Sequence, residues 1–214
     1  MHIQSSDQEV LQLGIGGYSC NWGSHLCGLY ETPEERDEII FGFLGTGLLE
    51  GDREYYVPNE RSADDFFRKF EVHCPDCVGK MHDPQALTIV NAKDLYYPDG
   101  TFSPWAMDVG LNAVYQSSQA NGKRFLRSMA EMTWALQAIP GVEHLMAYEA
   151  RLNYMVAGKH WVTICLYNVN KFPGSTILNV LRTHPYAISG GVVTKNPYFV
   201  HPDKWLAEHA PEFL

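Results

Sequence analysis

Carboxylates, aromatic side chains, an arginine and a histidine follow short apolar runs at several places in this chain. In an open α/β sheet the carboxyl ends of the strands line the ligand crevice. Tyr and Trp offer apolar walls with polar tips there, and Glu, Arg and His offer hydrogen bonds to a small molecule. This spacing predicts a pocket without defining a reaction, so we assign no catalytic residue. The candidate ligand-binding residues are Tyr30, Glu31, Glu131, Trp134, Tyr148, Arg151, Tyr167 and His184.

Several of these residues also fit simpler roles. Glu131 could accept a hydrogen bond from a ligand, or it could pair with Arg151 and fix the turn after a strand. His184 precedes Pro185 at a predicted helix end, where it could cap exposed carbonyls or reach the pocket beside Glu131 and Tyr30. The aromatic candidates are equally consistent with core packing. An enzyme would use Glu131 and His184 as acid and base.

A second cluster combines His73, Cys74, Cys77 and His82. A Cys-x-x-Cys pair with nearby histidines supplies soft ligands at a spacing suited to zinc, although a second cysteine pair is missing. The alternatives are a redox-active dithiol and a solvent-facing loop with free thiols. The loop is therefore a candidate site for zinc or for a redox response.

The turn after the first predicted strand lacks the Gly-x-x-x-x-Gly-Lys-Ser/Thr motif that holds nucleotide phosphates. In its place stands Tyr30-Glu-Thr-Pro-Glu-Glu-Arg36, whose three carboxylates would repel a triphosphate. The glycine clusters at 14–17 and 190–191 lack the following Lys-Ser/Thr and are typical of flexible turns. This pattern disfavours ATP hydrolysis.

Strand and helix signals alternate along the chain. Such an alternation predicts an α/β fold of three layers, with a mostly parallel sheet and helices on both faces. Strands are predicted at 25–30, 54–57, 87–90, 125–129 and 162–167, with short late strands at 187–189 and 198–200. Helices are predicted over 33–51, 62–70, 105–121, 142–156 and 175–184.

Length and composition place limits on the class of protein. At 214 residues the chain fits one domain, which we place at 22–214 after a loose lead-in at 1–21. The first ten residues lack a basic start and an apolar segment, and no run is long enough to cross a membrane, so we expect a cytoplasmic protein. Five cysteines suit a reducing compartment. The net charge of −9 argues against direct nucleic-acid binding.

Five segments follow one another in a characteristic order along the chain: His25–Glu31, Glu131–Leu136, Tyr148–Asn153, Leu181–Pro185 and Asn196–Tyr198. Together they resemble the MEDS (methanogen/methylotroph, DcmR sensory) domain family. The resemblance covers residues from about 22 to 205, and the strand, turn and helix at its start are similar to a RecA-like or KaiC-like core. It implies a RecA-like fold without a phosphate loop, acting as a sensory input module for histidine kinases or transcription regulators.

The combined prediction is a ligand-sensing domain that binds a small, largely apolar organic molecule at the carboxyl edge of its sheet. Binding would shift an equilibrium between conformations or association states, so a homodimer or a separate kinase or regulator partner is implied. The alternatives are a metal- or redox-responsive sensor built on Cys74 and Cys77, and a small-molecule enzyme built on Glu131 and His184.

Overall fold

The computed structural model describes residues 10–120, 122 and 125–214. Within these residues the chain forms a seven-stranded sheet, a separate two-stranded hairpin and eight α-helices. The strands are β1 (Val10–Gln12), β2 (Ser19–Asn21), β3 (Ser24–Tyr30), β4 (Arg53–Val57), β5 (Leu87–Ile89), β6 (Leu126–Glu131), β7 (Trp161–Asn168), β8 (Tyr186–Ser189) and β9 (Val192–Lys195). The helices are α1 (Pro33–Glu50), α2 (Ala63–His73), α3 (Val78–Met81), α4 (Ala92–Tyr96), α5 (Pro104–Ala120), α6 (Leu145–Val156), α7 (Gly174–Thr183) and α8 (Pro202–His209).

The large sheet has the strand order β5-β4-β6-β7-β3-β8-β9. All its neighbouring strands are parallel except β8 and β9, which are antiparallel. Every residue of the central strands β6 and β7 is buried, as expected for parallel strands that are covered on both faces. The predicted mostly parallel α/β architecture is confirmed.

Two apolar cores lie on opposite faces of this sheet. One contains side chains of α1, α2 and the β1–β2 hairpin, and the other contains side chains of α4, α5, α6 and α7. Helix α8 packs outside α6 through Trp205 and Leu206. The result is the predicted three-layer arrangement, with an additional helix on one side.

Local signals explain how β3 leads into α1. The Thr32 hydroxyl accepts a hydrogen bond from the Glu35 amide, and the Glu35 carboxylate accepts one from the Glu31 amide at 2.7 Å. The arrangement resembles a capping box, except that Glu35 accepts from the residue before the N-cap Thr32, and Pro33 occupies the first turn, where its missing amide hydrogen costs nothing. The helix ends at Gly51, which adopts a left-handed φ of 83°.

The predicted loose lead-in is partly wrong. Residues 10–21 form a hairpin whose Leu11, Leu13 and Ile15 are buried on the core, while the first nine residues lie outside the described part of the chain. The Arg127 guanidinium donates to the Gln12 carbonyl at 2.7 Å and ties the hairpin to the sheet. Asn121, at the predicted end of the helix over 105–121, also lies outside the described residues.

The predicted strand at 198–200 is also wrong. The Asn196 side chain accepts from the Tyr198 amide at 3.0 Å and donates to the His184 carbonyl at 2.7 Å, so the chain turns there. The last strand is instead β9, which pairs with β8 through a two-residue turn at Gly190 and Gly191 with φ of 55° and 72°. No helix in the described residues has the length and apolarity required to cross a membrane.

Candidate functional site

Four titratable side chains from four elements meet in the interior, and we call them the buried tetrad: His25, Glu149, Cys165 and His184. One nitrogen, oxygen or sulfur atom of each lies within 4.8 Å of the others. Their exposed fractions are 0%, 0%, 1% and 0%, respectively. Polar groups are rarely buried to this extent without partners, so their mutual contacts define the chemistry of the site.

Glu149 is the centre of the tetrad. Its Oε2 lies 3.2 Å from His25 Nε2 and 3.4 Å from His184 Nε2. Cys165 Sγ lies 3.6 Å from His25 Nε2, and the two imidazole rings are 4.0 Å apart between centroids. The other carboxylate oxygen, Oε1, accepts a short hydrogen bond from the Tyr167 hydroxyl.

The parallel register places two members of the tetrad, together with Tyr167, on one face of the sheet. Cys27 pairs with Cys165 across β3 and β7, and side chains two residues apart on a strand share a face. His25, Cys165 and Tyr167 therefore all point toward the layer that contains α6, where Glu149 lies in the buried stripe of the helix.

A hydrogen bond between helices positions the fourth member. The Asn153 side chain, one turn after Glu149 on α6, donates to the Thr183 carbonyl at 2.9 Å. That bond holds the end of α7 against α6, and His184 follows directly. The His184 ring nitrogen Nδ1 lies 2.7 Å from the Val180 carbonyl, which satisfies one carbonyl of the last helical turn.

Burial sets the protonation of the tetrad. Desolvation, together with the nearby His184, lowers the pKa of His25 to about 4, so His25 is neutral at pH 7. Burial alone would raise the pKa of Glu149, but the charge of His184 and contacts to His25 hold it below its ordinary range. Burial raises the pKa of Cys165 well above its usual value. The tetrad thus combines an ionised carboxylate with a protonated thiol.

Three of the predicted aromatic residues, Trp134, Tyr148 and Tyr167, lie around this centre and are buried in the core. Trp134 stacks on Tyr96 with 4.3 Å between ring centroids, and Tyr96 meets Tyr148 edge-on. Tyr96, Tyr148 and Cys165 also line a small internal cavity of about 20 Å³. That volume is close to the space that one water molecule needs.

Glu131 belongs to a different cluster, at the carboxyl end of β6. It accepts hydrogen bonds from the Tyr56 hydroxyl at 2.5 Å and from the amides of Asn59 and Glu60. The guanidinium nitrogens nearest to it are Arg61 Nε at 3.6 Å and Arg36 Nε at 3.8 Å. The predicted partner Arg151 is absent from this cluster, and the bonds from Asn59 and Glu60 tie Glu131 to the segment after β4.

Tyr30 and Glu31 lie near this second cluster. The Tyr30 hydroxyl donates to Glu60 Oε1 at 2.8 Å, and Arg36 Nη1 binds the other carboxylate oxygen of Glu60 at 3.2 Å. Tyr30 and Glu31 also line an open groove of about 250 Å³ at the carboxyl ends of β3, β7 and β8. The two residues therefore lie at the predicted edge of the sheet.

Two predicted pairings are wrong. Arg151 donates to Asp108 and to the Phe213 carbonyl at 2.6 Å, so it holds the carboxyl terminus and not Glu131. His184 has its contacts in the buried tetrad, whereas Glu131 has the partners of the β6 cluster. The reason is register and helix rotation: Arg151 lies two positions after Glu149 and faces away from the sheet.

The carboxyl ends of β6 and β7 carry an opening that the sequence analysis missed, which we call the apolar crevice. Its volume is about 410 Å³, within the usual range for small-molecule sites. Its walls are formed by the 3-10 turns between β6 and α6, by the first turn of α6 and by the segment that leads into α7. The lining residues are Ala135, Leu136, Val142, Glu143, Leu145, Met146, Phe172, Pro173 and Thr176.

The cysteine loop was predicted as a zinc site, a redox-active dithiol or a loop with free thiols, and the last of these is not what the structure shows. Cys74 and Cys77 are joined by a disulfide, and the free cysteines are Cys20, Cys27 and Cys165. The His73 ring packs on Phe41 at 5.3 Å, and the His82 ring packs on Phe67 at 4.6 Å. Zinc binding at this loop would require reduction of the disulfide and movement of both histidines.

His25, Glu149 and Cys165 are the members of the tetrad that sequence reasoning did not select. Each is a titratable residue in an otherwise apolar pattern: two lie within buried strands, and Glu149 lies between Tyr148 and Leu152 on the buried side of a helix. Polar residues at such positions require internal partners, and this was the available signal.

Comparisons with known proteins agree with this structure. A sequence model described as MEDS, the methanogen/methylotroph, DcmR sensory domain, matches residues 24–185, a span that contains the entire tetrad. The transcriptional repressor DcmR of Methylorubrum extorquens is 22% identical over 171 residues, which are 79% of this chain and 61% of the repressor. The chain thus spans about 61% of the length of that relative.

Solved structures show the same fold. A KaiC-like protein from Pyrococcus horikoshii OT3 superposes with a TM-score of 0.58 at 15% identity, covering 84% of this chain and 79% of the other. The flagellar accessory protein FlaH of Methanocaldococcus jannaschii gives a TM-score of 0.53 at 16% identity, covering 80% and 75%. The predicted RecA-like, KaiC-like fold is confirmed.

Proposed function

Because the chain belongs to the MEDS family of sensory domains, we propose that it is a signal-input domain whose ligand is a small, largely apolar organic molecule. Its output would pass to a histidine kinase or a transcription regulator. The similarity to a transcriptional repressor supports a regulatory output. The shape and lining of the apolar crevice support the proposed class of ligand.

The apolar crevice is the observation that carries the ligand assignment. It lies at the carboxyl ends of two central parallel strands, where ligands of open α/β sheets bind. Its lining is mainly aliphatic, with Phe172 as an aromatic wall and Glu143 and Thr176 as polar groups. A volume of about 410 Å³ suits a molecule of several carbon atoms. Burial of apolar surface would supply most of the binding free energy.

A short chain of contacts connects the crevice with the buried tetrad. Phe172 lines the crevice and packs edge-on against Tyr167, with 5.1 Å between ring centroids. The Tyr167 hydroxyl binds Glu149, which contacts His25 and His184. A ligand that displaces Phe172 would therefore alter the packing of α6 and α7 on the sheet, and a partner protein or a second copy of the chain could detect that change.

An enzyme that uses Glu131 and His184 as an acid–base pair finds little support. Each side chain is buried and is bonded to partners of its own cluster. General acid–base catalysis requires both groups within hydrogen-bond reach of one substrate. The sensor is therefore the function that we propose.

The test uses chloroform and 1-butanol as apolar probes and follows backbone amides by NMR. We expect shifts at the lining residues of the apolar crevice. Leu136, which lines the crevice and is 45% exposed, is changed to Glu, and this variant should weaken probe binding at least about tenfold because a charge is placed in apolar surroundings.

The matched control is Leu49→Glu, because Leu49 is 51% exposed on α1, on the opposite face of the sheet. It should bind the probes as the unchanged protein does. Amide shifts spread over the whole surface would refute the crevice as the ligand site. Equal losses of probe affinity in Leu136→Glu and Leu49→Glu would also refute it.

A further inference from the structure

We propose that the buried tetrad is a metal site that binds one divalent first-row transition-metal ion, with Zn²⁺ preferred. The ligand atoms would be His25 Nε2, Glu149 Oε2, Cys165 Sγ and His184 Nε2. This site is separate from the Cys74–Cys77 loop, and the inference does not depend on the proposed sensor function.

The distances between the donor atoms match a tetrahedral site. Metal–ligand bonds of about 2.0 to 2.3 Å give tetrahedron edges of about 3.3 to 3.8 Å. The measured separations are 3.2 Å from His25 Nε2 to Glu149 Oε2, 3.4 Å from His184 Nε2 to Glu149 Oε2 and 3.6 Å from Cys165 Sγ to His25 Nε2. These are three of the six separations, and all four residues offer donor atoms within 4.8 Å of one another, so movements of about 1 Å would bring them to one ion.

Hydrogen bonding of His184 aims a ring nitrogen at this centre. A carbonyl oxygen only accepts, so the Val180 carbonyl, 2.7 Å from Nδ1, fixes the proton on that nitrogen. With that proton on Nδ1, Nε2 is the ring nitrogen that can bind a metal ion beside Glu149 Oε2. Among the described residues neither Nε2 of His184 nor Oε2 of Glu149 has a hydrogen-bond partner, although both are buried. A positive charge between these two atoms, either a proton on Nε2 or a metal ion, prevents repulsion of their lone pairs.

Charge balance favours a divalent ion. The Glu149 carboxylate and a Cys165 thiolate carry two negative charges, and two neutral imidazoles carry none. A 2+ ion therefore gives a buried site of zero net charge, which avoids the cost of an uncompensated charge in the interior. The thiol proton of Cys165 leaves to solvent when the ion binds, as happens at coordinating cysteines.

The groups around the tetrad resemble the outer shell of a metal site. Metal-bound histidines commonly donate their second ring N–H to a carbonyl, as His184 does to Val180. Ligating carboxylates are commonly hydrogen-bonded, as Glu149 is by Tyr167 through the oxygen that is not needed for the metal. Two nitrogens, one oxygen and one sulfur, all from protein, suit a closed zinc site more than an open catalytic one.

A metal here would cross-link β3, β7, α6 and the end of α7. Its structural role would be to clamp two helices onto the sheet beside the apolar crevice. Binding free energy of a buried metal appears as folding stability, so the metal-bound protein should unfold at a higher temperature than the metal-free protein.

The test is metal analysis of the full chain, first stripped with a chelator and then titrated with Zn²⁺ or Co²⁺. We expect one equivalent of Zn²⁺, a raised Tm, and a Co²⁺ complex with tetrahedral visible absorption and a thiolate-to-cobalt charge-transfer band. X-ray absorption of the unchanged zinc protein should show one sulfur and three nitrogen or oxygen ligands. Absence of stoichiometric binding, or two sulfur ligands, would overturn the proposal.

Variants assign the site to the tetrad. Cys165→Ser should lose the charge-transfer band, and His184→Gln should lower Zn²⁺ affinity at least about 100-fold. Cys20→Ser should bind metal as the unchanged protein does, because Cys20 is a buried free thiol of the β1–β2 hairpin. Circular dichroism checks that each variant is folded. Metal that persists in both tetrad variants but is lost in Cys74→Ser/Cys77→Ser would place the site in the loop and refute the tetrad. X-ray absorption of the unchanged protein decides the question if a variant does not fold.

Discussion

His25, Glu149 and His184 illustrate what individual buried residues demand from the fold. Each would be costly to bury alone, since an unpaired polar or charged group loses its hydration without replacement. In the fold, one nitrogen of each histidine lies within 3.4 Å of a single carboxylate oxygen, Glu149 Oε2. Each of these buried side chains therefore depends on the others for its polar contacts. Loss of one member leaves the others without a partner.

Glu54 gives a prediction about pH. It is fully buried near Arg127, and burial raises its pKa well above the ordinary value. A carboxyl group whose pKa is higher in the folded state than in the unfolded state, about 4.3 for Glu, binds more protons when folded. Stability is therefore greatest below the unfolded pKa and falls as pH rises toward the folded pKa.

Glu54→Gln should remove the loss of stability that accompanies rising pH, because glutamine does not ionise. The free energy of unfolding of the variant relative to the unchanged protein should increase between pH 5 and pH 8, by about 1.4 kcal/mol for each unit of pKa difference spanned. Urea unfolding at both pH values measures it, and the exposed Glu71→Gln serves as control. If the free energy of unfolding of the variant relative to the unchanged protein is the same at pH 5 and pH 8, Glu54 is already ionised in the folded protein.

At the scale of elements, the β1–β2 hairpin and α1 approach each other through glycines. A Cβ atom added at Gly42 on α1 would overlap the Gly14 carbonyl oxygen in the hairpin turn. Gly14 itself has a φ of 73°, a conformation that favours glycine. The glycine cluster near the N-terminus thus serves packing of the hairpin on the helix.

Gly42→Ala should lower the free energy of unfolding by about 1 to 3 kcal/mol, because the hairpin must shift away from α1. Gly110→Ala on α5 should raise it by about 0.5 to 1 kcal/mol, because an added Cβ there meets no atom within 4 Å and alanine favours the helix. Urea denaturation of both variants compares them. Equal stabilisation by the two changes would show that the hairpin does not pack on α1 in solution.

The whole molecule carries a net charge of −9, which decides what it can contact directly. Binding to nucleic-acid backbones depends on lysines and arginines that displace counterions. The relative DcmR is a transcriptional repressor, yet this chain spans only about 61% of it. We therefore expect that these 214 residues do not by themselves bind the DNA backbone.

The corresponding prediction is that this 214-residue chain does not bind DNA at low ionic strength. Fluorescence anisotropy of a labelled duplex should stay unchanged at protein concentrations that give measurable probe binding to the crevice. Affinity that weakens steeply with added salt would contradict the charge argument.

The sequence by itself determined the layers of this protein and its family. Alternating apolar runs and capped helices are local patterns, and they predicted the six parallel strands of the large sheet and the five α-helices of ten or more residues, but not the short helices α3 and α4. The predicted strand at 198–200 failed because the Asn196 side chain, whose partners lie on other segments, turns the chain. Helix α8, which packs outside the three layers, was missed.

Only the tertiary structure decided which polar residues meet. Tyr30 and Glu31 could be placed at the carboxyl edge because strand ends of a parallel sheet share that edge. The buried tetrad could not be predicted in this way: His25, Glu149, Cys165 and His184 come from four segments and converge through strand register and the rotation of α6. Such relations between distant segments are set by packing of the whole chain, and local sequence patterns do not encode them individually.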